Sequence, residues 1–222
     1  MAEVTVVLMA YGTPRTREEI EPYYTDIRRG RPPTPELLAD LVRRYDAIGG
    51  ISPLAALTEA QRSALAAALE AREPGRFDVV LGLKHAHPMI EETAAEVAAR
   101  GVRTVVGLVL APHYSAFSVG QYQDRLRTAL EPSGCDVRAI DSWASNAAYV
   151  GFLGTEVKRS LATLPEGSTI LFTAHSLPER ILAAGDPYPT ELRTTATWVA
   201  AAAGLAPGSW SVAYQSAGRT PE

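Results

Sequence analysis

The stretch TVVGLVL at residues 104–110 decides the fold class of this chain. Nearly every side chain in it is apolar, without the alternation that marks a strand with one face in water. A strand of this kind needs cover on both faces, and helices packed on both sides of a parallel sheet provide it. The stretch therefore predicts an inner strand of a parallel sheet.

Five further β-branched runs lie before and after this stretch, among longer alanine-rich patterns of helical spacing. The six predicted strands cover residues 4–9, 77–83, 104–110, 137–140, 169–173 and 210–214. The predicted helices cover residues 18–29, 35–45, 58–71, 88–100, 118–130, 146–164 and 188–203. Thr58 and Gln61 have the spacing of a capping box, which predicts a helix start at residue 58. This alternation indicates βαβ units and parallel sheets.

The strands divide between two α/β domains. Four strands precede the stretch DSWASNAA at residues 141–148, which we interpret as the hinge, and two follow it. We therefore predict two Rossmann-like domains with parallel sheets flanked by helices, over residues 1–143 and 144–222. The second has only two strands and no closing helix, so we expect it to be incomplete.

Composition excludes several classes of function. The 222 residues are 46% apolar and 21% charged, which is typical of a globular protein. The net charge of -4 argues against a nucleic-acid partner. No apolar run is long enough for a membrane span, and the first residues lack a signal-peptide pattern, so we expect a cytoplasmic protein. Cys135 is the single cysteine, which excludes an internal disulfide and a cysteine-built metal site within this chain.

Known cofactor and nucleophile motifs are missing as well. No glycine-rich dinucleotide loop follows a predicted strand and no Walker lysine is present, so we expect no nucleotide cofactor. There is no G-x-S-x-G motif. Ser176 next to His175 does not make a hydrolase, because neighbouring residues of a strand point to opposite faces.

The residues that follow the strands point to a functional edge. Parallel α/β sheets bind ligands beyond the carboxyl ends of their strands. Four predicted strands lead into YGTP at 11–14, KHAH at 84–87, PHYS at 112–115 and HS at 175–176. All four histidines of the chain lie in these segments, and we expect the site there.

Spacing alone leaves two interpretations open for His175. It and Ser176 form a turn that caps the next helix, or its neutral imidazole takes a proton or holds a soft divalent metal. His85 and His87 are two residues apart and form either a chelating pair or a polar loop. For His113 we expect a structural hydrogen bond.

The basic and hydroxyl candidates also allow two interpretations. Arg28 and Arg44 lie near predicted helix ends, where they match the helix dipole, yet a guanidinium is also a bidentate partner for a carboxylate. Ser52 lies in DAIGGISPL at residues 46–54, where two glycines permit close approach of a ligand and the hydroxyl can donate to an acid. A plain loop is the alternative.

Eight stretches carry a resemblance to a known family. In order they are VLMAYGTP, YYTDIRRGRPPTPELL, YDAIGGISPL, GLKHAHPMIEE, LAPHYSAFSVGQY, TAHSLPERI, GDPYP and YQSAGRTPE. Together they resemble the ferrochelatases, especially the monofunctional type of Gram-positive bacteria, whose substrate is coproporphyrin III rather than protoporphyrin IX. The resemblance implies a lyase of haem biosynthesis that inserts Fe²⁺, its metal substrate, into a porphyrin and releases two protons.

The resemblance also implies roles for single residues. His175 matches the central catalytic, metal-handling histidine, and Tyr11 matches the tyrosine on the opposite face of the ring, close to the metal. Contacts with the porphyrin propionates or the cleft rim are implied for Arg28, Arg44, Ser52 and Tyr122. Lys84 and His85 match family positions near the cleft. Enzymes of the haem pathway are candidate partners.

The chain departs from the family at its end. In the family, the motif that ends here at Glu222 is followed by further chain, which contains an acidic residue that works with the histidine. Glu222 closes the TPE stretch, which is a different motif from the one that holds that acidic residue. We therefore expect a C-terminally truncated member. Some relatives bind a 2Fe–2S cluster through several cysteines, and with Cys135 alone we expect none.

Two alternatives stay open. One is a chelatase for another tetrapyrrole, such as sirohydrochlorin, although IGGISPL and AHSLPE argue against it. The other is a non-catalytic tetrapyrrole-binding fragment, because the acidic partner is missing. Protoporphyrin IX stays open as a second porphyrin substrate.

Overall fold

The computed structural model describes residues 2–216, and Glu222 with the end of the YQSAGRTPE stretch lies outside them. The strands are β1 (Val4–Ala10), β2 (Phe77–Leu83), β3 (Thr104–Val109), β4 (Asp136–Ile140), β5 (Ile170–His175) and β6 (Trp210–Gln215). The helices are α1 (Ile20–Ile27), α2 (Pro35–Ala47), α3 (Leu54–Arg72), α4 (Ile90–Ala99), α5 (Val119–Leu130), α6 (Ala147–Leu161), α7 (Arg180–Ala183) and α8 (Tyr188–Ala203). Within residues 2–216, no helix is long and apolar enough to cross a membrane.

The predicted α/β class is confirmed. All six predicted strands form, and every strand pair is parallel. By its internal contacts the chain divides into two compact units. The first comprises the residues up to Leu110 together with Tyr122–Ile140, and the second comprises Ala111–Gln121 and the described residues from Asp141 onward. The domain boundary between residues 143 and 144 stays a prediction.

The first unit is built on a four-stranded sheet in the order β2-β1-β3-β4. All seven residues of β1 are buried, as expected for a strand with a neighbour on each side and a helix on each face. Val6 and Leu8 pack with leucines of α3 on one face. On the other face α4 comes so close that a Cβ on Gly82 would lie 3.4 Å from the Cα of Ile90 in that helix. Glycine in β2 therefore lets α4 seat against the sheet.

The predicted start of α3 is wrong. The helix begins at Leu54, after Pro53, and the Ser52 hydroxyl accepts a hydrogen bond from the Leu54 amide at 3.2 Å. Thr58 is buried inside the helix. The T-x-x-Q pattern of Thr58 and Gln61 is a local signal that also occurs inside helices. The helix begins one turn earlier because the Ser52–Pro53 pair starts it there.

The second unit contains the parallel pair β5–β6, with α6 and α8 packed together. The α8 helix buries one face, formed by Leu192, Thr195, Ala196, Val199 and Ala200. Gly154 of α6 is buried at the contact with Ala202 of α8, where a Cβ on the glycine would lie 2.8 Å from the alanine Cβ. The missing side chain thus sets how closely the two helices approach.

Candidate active site

In the first unit, the carboxyl ends of β1 and β2 bring Tyr11 and His85 together. The parallel pairing continues past both strands, since the Lys84 amide donates to the Ala10 carbonyl at 2.9 Å and the His85 amide to the Tyr11 carbonyl at 3.0 Å. The rings of Tyr11 and His85 then meet with their centroids 4.6 Å apart. This is the edge at which the sequence placed the site.

His85 is largely buried and has an acidic partner. Its side chain is 13% exposed, and its Nδ1 lies 2.6 Å from Oδ2 of Asp26 in the last turn of α1. Burial lowers the pKa of His85, and this effect outweighs the opposing influence of Asp26. Asp26 was not among the predicted site residues, and its only signal in the sequence is its position in the stretch YYTDIRRG.

His85 and His87 do not form a chelating pair. The His87 ring is exposed, and its Nδ1 lies 2.8 Å from Oε2 of Glu92, whereas His85 contacts Asp26. Nor do the described residues 2–216 contain any group of three or more histidine, cysteine or acidic side chains able to hold a metal ion.

Tyrosines surround Tyr11 and fix the loop that carries it. Tyr11 is 44% exposed and meets Tyr23 edge to face at 6.5 Å. Burial and the neighbouring Tyr45 raise the pKa of Tyr23, and the Tyr45 hydroxyl lies 3.1 Å from the Thr13 hydroxyl. Burial, with a smaller contribution from Asp26, raises the pKa of Tyr11, so its phenol is neutral at physiological pH.

Lys84 and Tyr122 form a second part of the same edge. The Lys84 ammonium lies 4.9 Å from the centre of the buried Tyr122 ring, and burial lowers the pKa of this lysine. Arg125 donates to the Lys84 carbonyl at 2.7 Å and forms a bidentate pair with Glu91 at 2.6 and 2.7 Å. Arg125 was not found from the sequence, although it lies one helical turn beyond Tyr122.

Arg28, Arg44 and Ser52 each have a local partner. Arg28 Nε donates to the Arg31 carbonyl at 3.2 Å, and Arg44 pairs with Asp40. The Ser52 hydroxyl accepts a hydrogen bond from the Leu54 amide at the start of α3. Among the described residues, no hydrogen bond or ion pair joins these three to the Tyr11–His85 cluster.

In the second unit, His175 ends β5 and is exposed. Its Nδ1 lies 2.6 Å from the Ser176 carbonyl oxygen. A carbonyl only accepts, so Nδ1 carries the proton and Nε2 carries the lone pair. The helix-capping interpretation is wrong, because α7 begins after Glu179 and makes no side-chain cap bond.

The GDPYP segment supports His175 and the loop that follows β3. The Tyr188 hydroxyl donates to the His175 carbonyl at 3.0 Å. The Asp186 carboxylate accepts from the Tyr188 amide at 3.0 Å, and from the Ser115 hydroxyl and the Ala116 amide at 2.9 Å each. Three directed bonds to one carboxylate hold this part of the second unit.

The structural role predicted for His113 is confirmed. Its Nε2 lies 3.0 Å from the Thr195 hydroxyl, which in turn donates to the Ala144 carbonyl at 3.4 Å. The Thr195 oxygen therefore accepts from Nε2–H. Burial lowers the pKa of His113, and Glu191 partly opposes that effect.

The parallel α/β fold is that expected of the chelatase-like class of protein, and histidine and tyrosine side chains lie at the carboxyl ends of its strands. The chain belongs to the ferrochelatase family, whose family model matches residues 3–222. The predicted resemblance is thereby confirmed. The roles given to individual site residues stay predictions.

Its relatives include several proteins named coproporphyrin III ferrochelatase. The one from Oceanobacillus iheyensis is 43% identical over 225 residues, which cover 99% of this chain and 72% of the relative. The protein from Halalkalibacterium halodurans is 43% identical over 224 residues, with coverage of 99% and 72%. The protein from Bacillus subtilis is 43% identical over 223 residues, with coverage of 98% and 71%.

Proposed function

We propose that this protein inserts Fe²⁺ into coproporphyrin III in haem biosynthesis. The observation that carries the proposal is the 43% identity to coproporphyrin III ferrochelatases over 98–99% of the chain. Iron is the metal substrate of the reaction. The two inner N–H bonds of the porphyrin break, four nitrogens bind the metal, and two protons leave.

The chemistry requires that the macrocycle be gripped and bent. A free porphyrin is flat, so metal enters only when a nitrogen lone pair points out of the ring plane. A site that binds the bent form better than the flat form uses binding energy to approach the transition state. Four propionates on the ring make cationic and hydroxyl side chains suitable partners.

We assign the proton and metal chemistry to His175. With Nδ1–H committed to the Ser176 carbonyl, Nε2 offers a lone pair to a pyrrole proton or to the incoming metal. Tyr11 is assigned to the opposite face of the ring as the residue close to the metal. Its phenol stays protonated, so it presents a neutral aromatic surface.

We assign the porphyrin acid groups to cationic and hydroxyl residues. Arg44 is exposed and shares Asp40 with Arg43, so its guanidinium can turn to a propionate without leaving a buried charge unpaired. The other proposed contacts are Arg28, Ser52 and Tyr122, with Lys84 and His85 beside the ring.

Anaerobic assays with three tetrapyrroles test the proposal. The purified protein is mixed with Fe²⁺ or Zn²⁺ and with coproporphyrin III, protoporphyrin IX or sirohydrochlorin, and absorbance is followed. We expect a shifted Soret band and then metalloporphyrin bands, fastest with coproporphyrin III. A Soret shift that never leads to metal insertion would favour the binding-only alternative, and turnover of sirohydrochlorin alone would indicate another chelatase.

A further inference from the structure

The Asp26 carboxylate occupies a position that α1 itself does not favour. It lies in the last turn of the helix, where the dipole disfavours negative charge, and that turn contains no basic residue. The helix ends there in a fixed way, because the Arg29 amide donates to the Asp26 carbonyl at 2.8 Å and Arg29 has a positive φ of 58°. The backbone therefore holds the Cα–Cβ bond of Asp26 in place at the end of α1.

The contact with His85 accounts for this placement. Oδ2 of Asp26 lies 2.6 Å from Nδ1 of His85, although 59 positions separate the two residues in the chain. An ionised carboxylate only accepts hydrogen bonds, so in this pair Nδ1 carries the proton. The neutral ring then has its lone pair on Nε2, away from Asp26.

The rest of the His85 environment keeps the ring in this orientation. Tyr11 lies against one side of the imidazole, with centroids 4.6 Å apart. Lys84 and Arg125 act on the ring as positive charges. Cations of this kind favour a lone pair over a proton on the nitrogen that faces away from Asp26.

We propose that Asp26 is a positioning residue for His85. Its carboxylate holds the imidazole beside Tyr11 with the proton on Nδ1, so that Nε2 presents a hydrogen-bond acceptor to an N–H of the porphyrin. The inference rests on the proposed function, because it assigns His85 to the porphyrin face. The tautomer of His85, however, is measured without turnover.

A double-mutant cycle with Asp26→Ala and His85→Gln tests the coupling. If Asp26 acts through His85, each single variant loses about tenfold in kcat for Fe²⁺ insertion, with little change in KM. The double variant then loses no more than either single one, because the second change removes nothing further. Glu21→Gln on the same helix is the matched control, and it should keep full activity.

Long-range ¹H–¹⁵N spectra of the His85 ring supply the second readout. In the wild type we expect the Nδ1–H tautomer, and in Asp26→Ala its loss. Asp26→Glu keeps a carboxylate, should restore the Nδ1–H signal, and guards against a folding artefact of the alanine variant. An unchanged tautomer in Asp26→Ala, or additive losses in the cycle, would overturn the inference. A wild type without turnover refutes only the proposed function, since the spectra still decide the role of Asp26.

Discussion

His85 and His175 are held in the same tautomer by different partners. His175 donates its Nδ1–H hydrogen bond to a backbone carbonyl, and His85 donates its Nδ1–H hydrogen bond to a carboxylate. In each case Nε2 is the nitrogen with the lone pair. Each unit of the chain thus carries one oriented acceptor at the end of a strand.

Replacing His175 by alanine should abolish insertion while leaving porphyrin binding largely intact. The imidazole supplies chemistry in the proposed mechanism, whereas the propionates account for most of the ring's affinity. Turnover is followed by absorbance and binding by fluorescence quenching. His87→Ala removes an exposed histidine whose ring pairs with Glu92, and it should behave as wild type. Wild-type turnover in His175→Ala would refute the catalytic role.

Arg44 and Arg43 form a matched pair for testing propionate recognition. Both contact Asp40 and are similarly exposed, at 69% and 73%. Arg44→Ala should weaken coproporphyrin III binding by about tenfold to a hundredfold, because a hydrogen bond to a charged group contributes roughly 1.5–3 kcal/mol. Arg43→Ala should change the dissociation constant little. Equal losses in both variants would point to general charge attraction instead.

The sequence could place Tyr11, His85 and His175 because each lies at or just past the carboxyl end of a strand, and strand ends can be predicted from local pattern. Asp26 and Arg125 could not be predicted in the same way. Asp26 meets its histidine across 59 positions, and Arg125 meets the Lys84 carbonyl across 41. Only the tertiary contacts of α1 and α5 bring them there.

At the scale of elements, two glycines of α6 should respond to alanine in opposite ways. Gly151 is exposed with no atom near its missing Cβ, so Gly151→Ala should stabilise the protein by about 0.5–1 kcal/mol. Gly154→Ala would place a methyl group 2.8 Å from Ala202 of α8 and should destabilise by about 1–3 kcal/mol. Urea unfolding measures both. Stabilisation by Gly154→Ala would contradict the close α6–α8 contact.

Strands were easier to predict than the details of helices. The run VTVVLMA of β1 is buried at every position, so its pattern is unambiguous. The predicted start of α3 is wrong because Thr58 satisfies a local capping rule while lying in the helix interior.

The role of Gln123 in α5 could not be predicted from the sequence either. Its amide donates to the Gly107 carbonyl at 3.0 Å and to the Ile140 carbonyl at 3.3 Å, and so it joins β3 to β4.

For the molecule as a whole, stability should fall as the pH drops below about 6.5, the value at which an unfolded histidine titrates. Burial lowers the pKa of His85 and of His113 in the folded protein. Below that pH the unfolded chain binds more protons than the folded one, so the unfolding free energy decreases as pH falls. Urea midpoints between pH 7.5 and 5.5 measure this.

His113→Gln should flatten that dependence, because the glutamine amide does not titrate and can still reach Thr195. A wild-type midpoint that rises on acidification would contradict the direction of both shifts. A slope in His113→Gln as steep as in the wild type would remove His113 from the explanation.

Across the whole chain, family membership was the most predictable property, because motifs such as IGGISPL and AHSLPE lie in one register along the sequence. Other whole-molecule properties have no comparable local signal. The cytoplasmic location, the absence of a 2Fe–2S cluster and the partnership with haem-pathway enzymes stay predictions.

The bonds from Asp186 and Glu191 to the loop after β3 also bear on how the protein is made. The Ser115 hydroxyl donates to Asp186, 71 positions further along the chain, and the Tyr114 amide donates to Glu191, 77 positions further along. During synthesis the loop leaves the ribosome well before either acid exists as part of the chain. It can acquire its final shape only after α8 has emerged, so a nascent chain halted before that helix should display this loop to proteases.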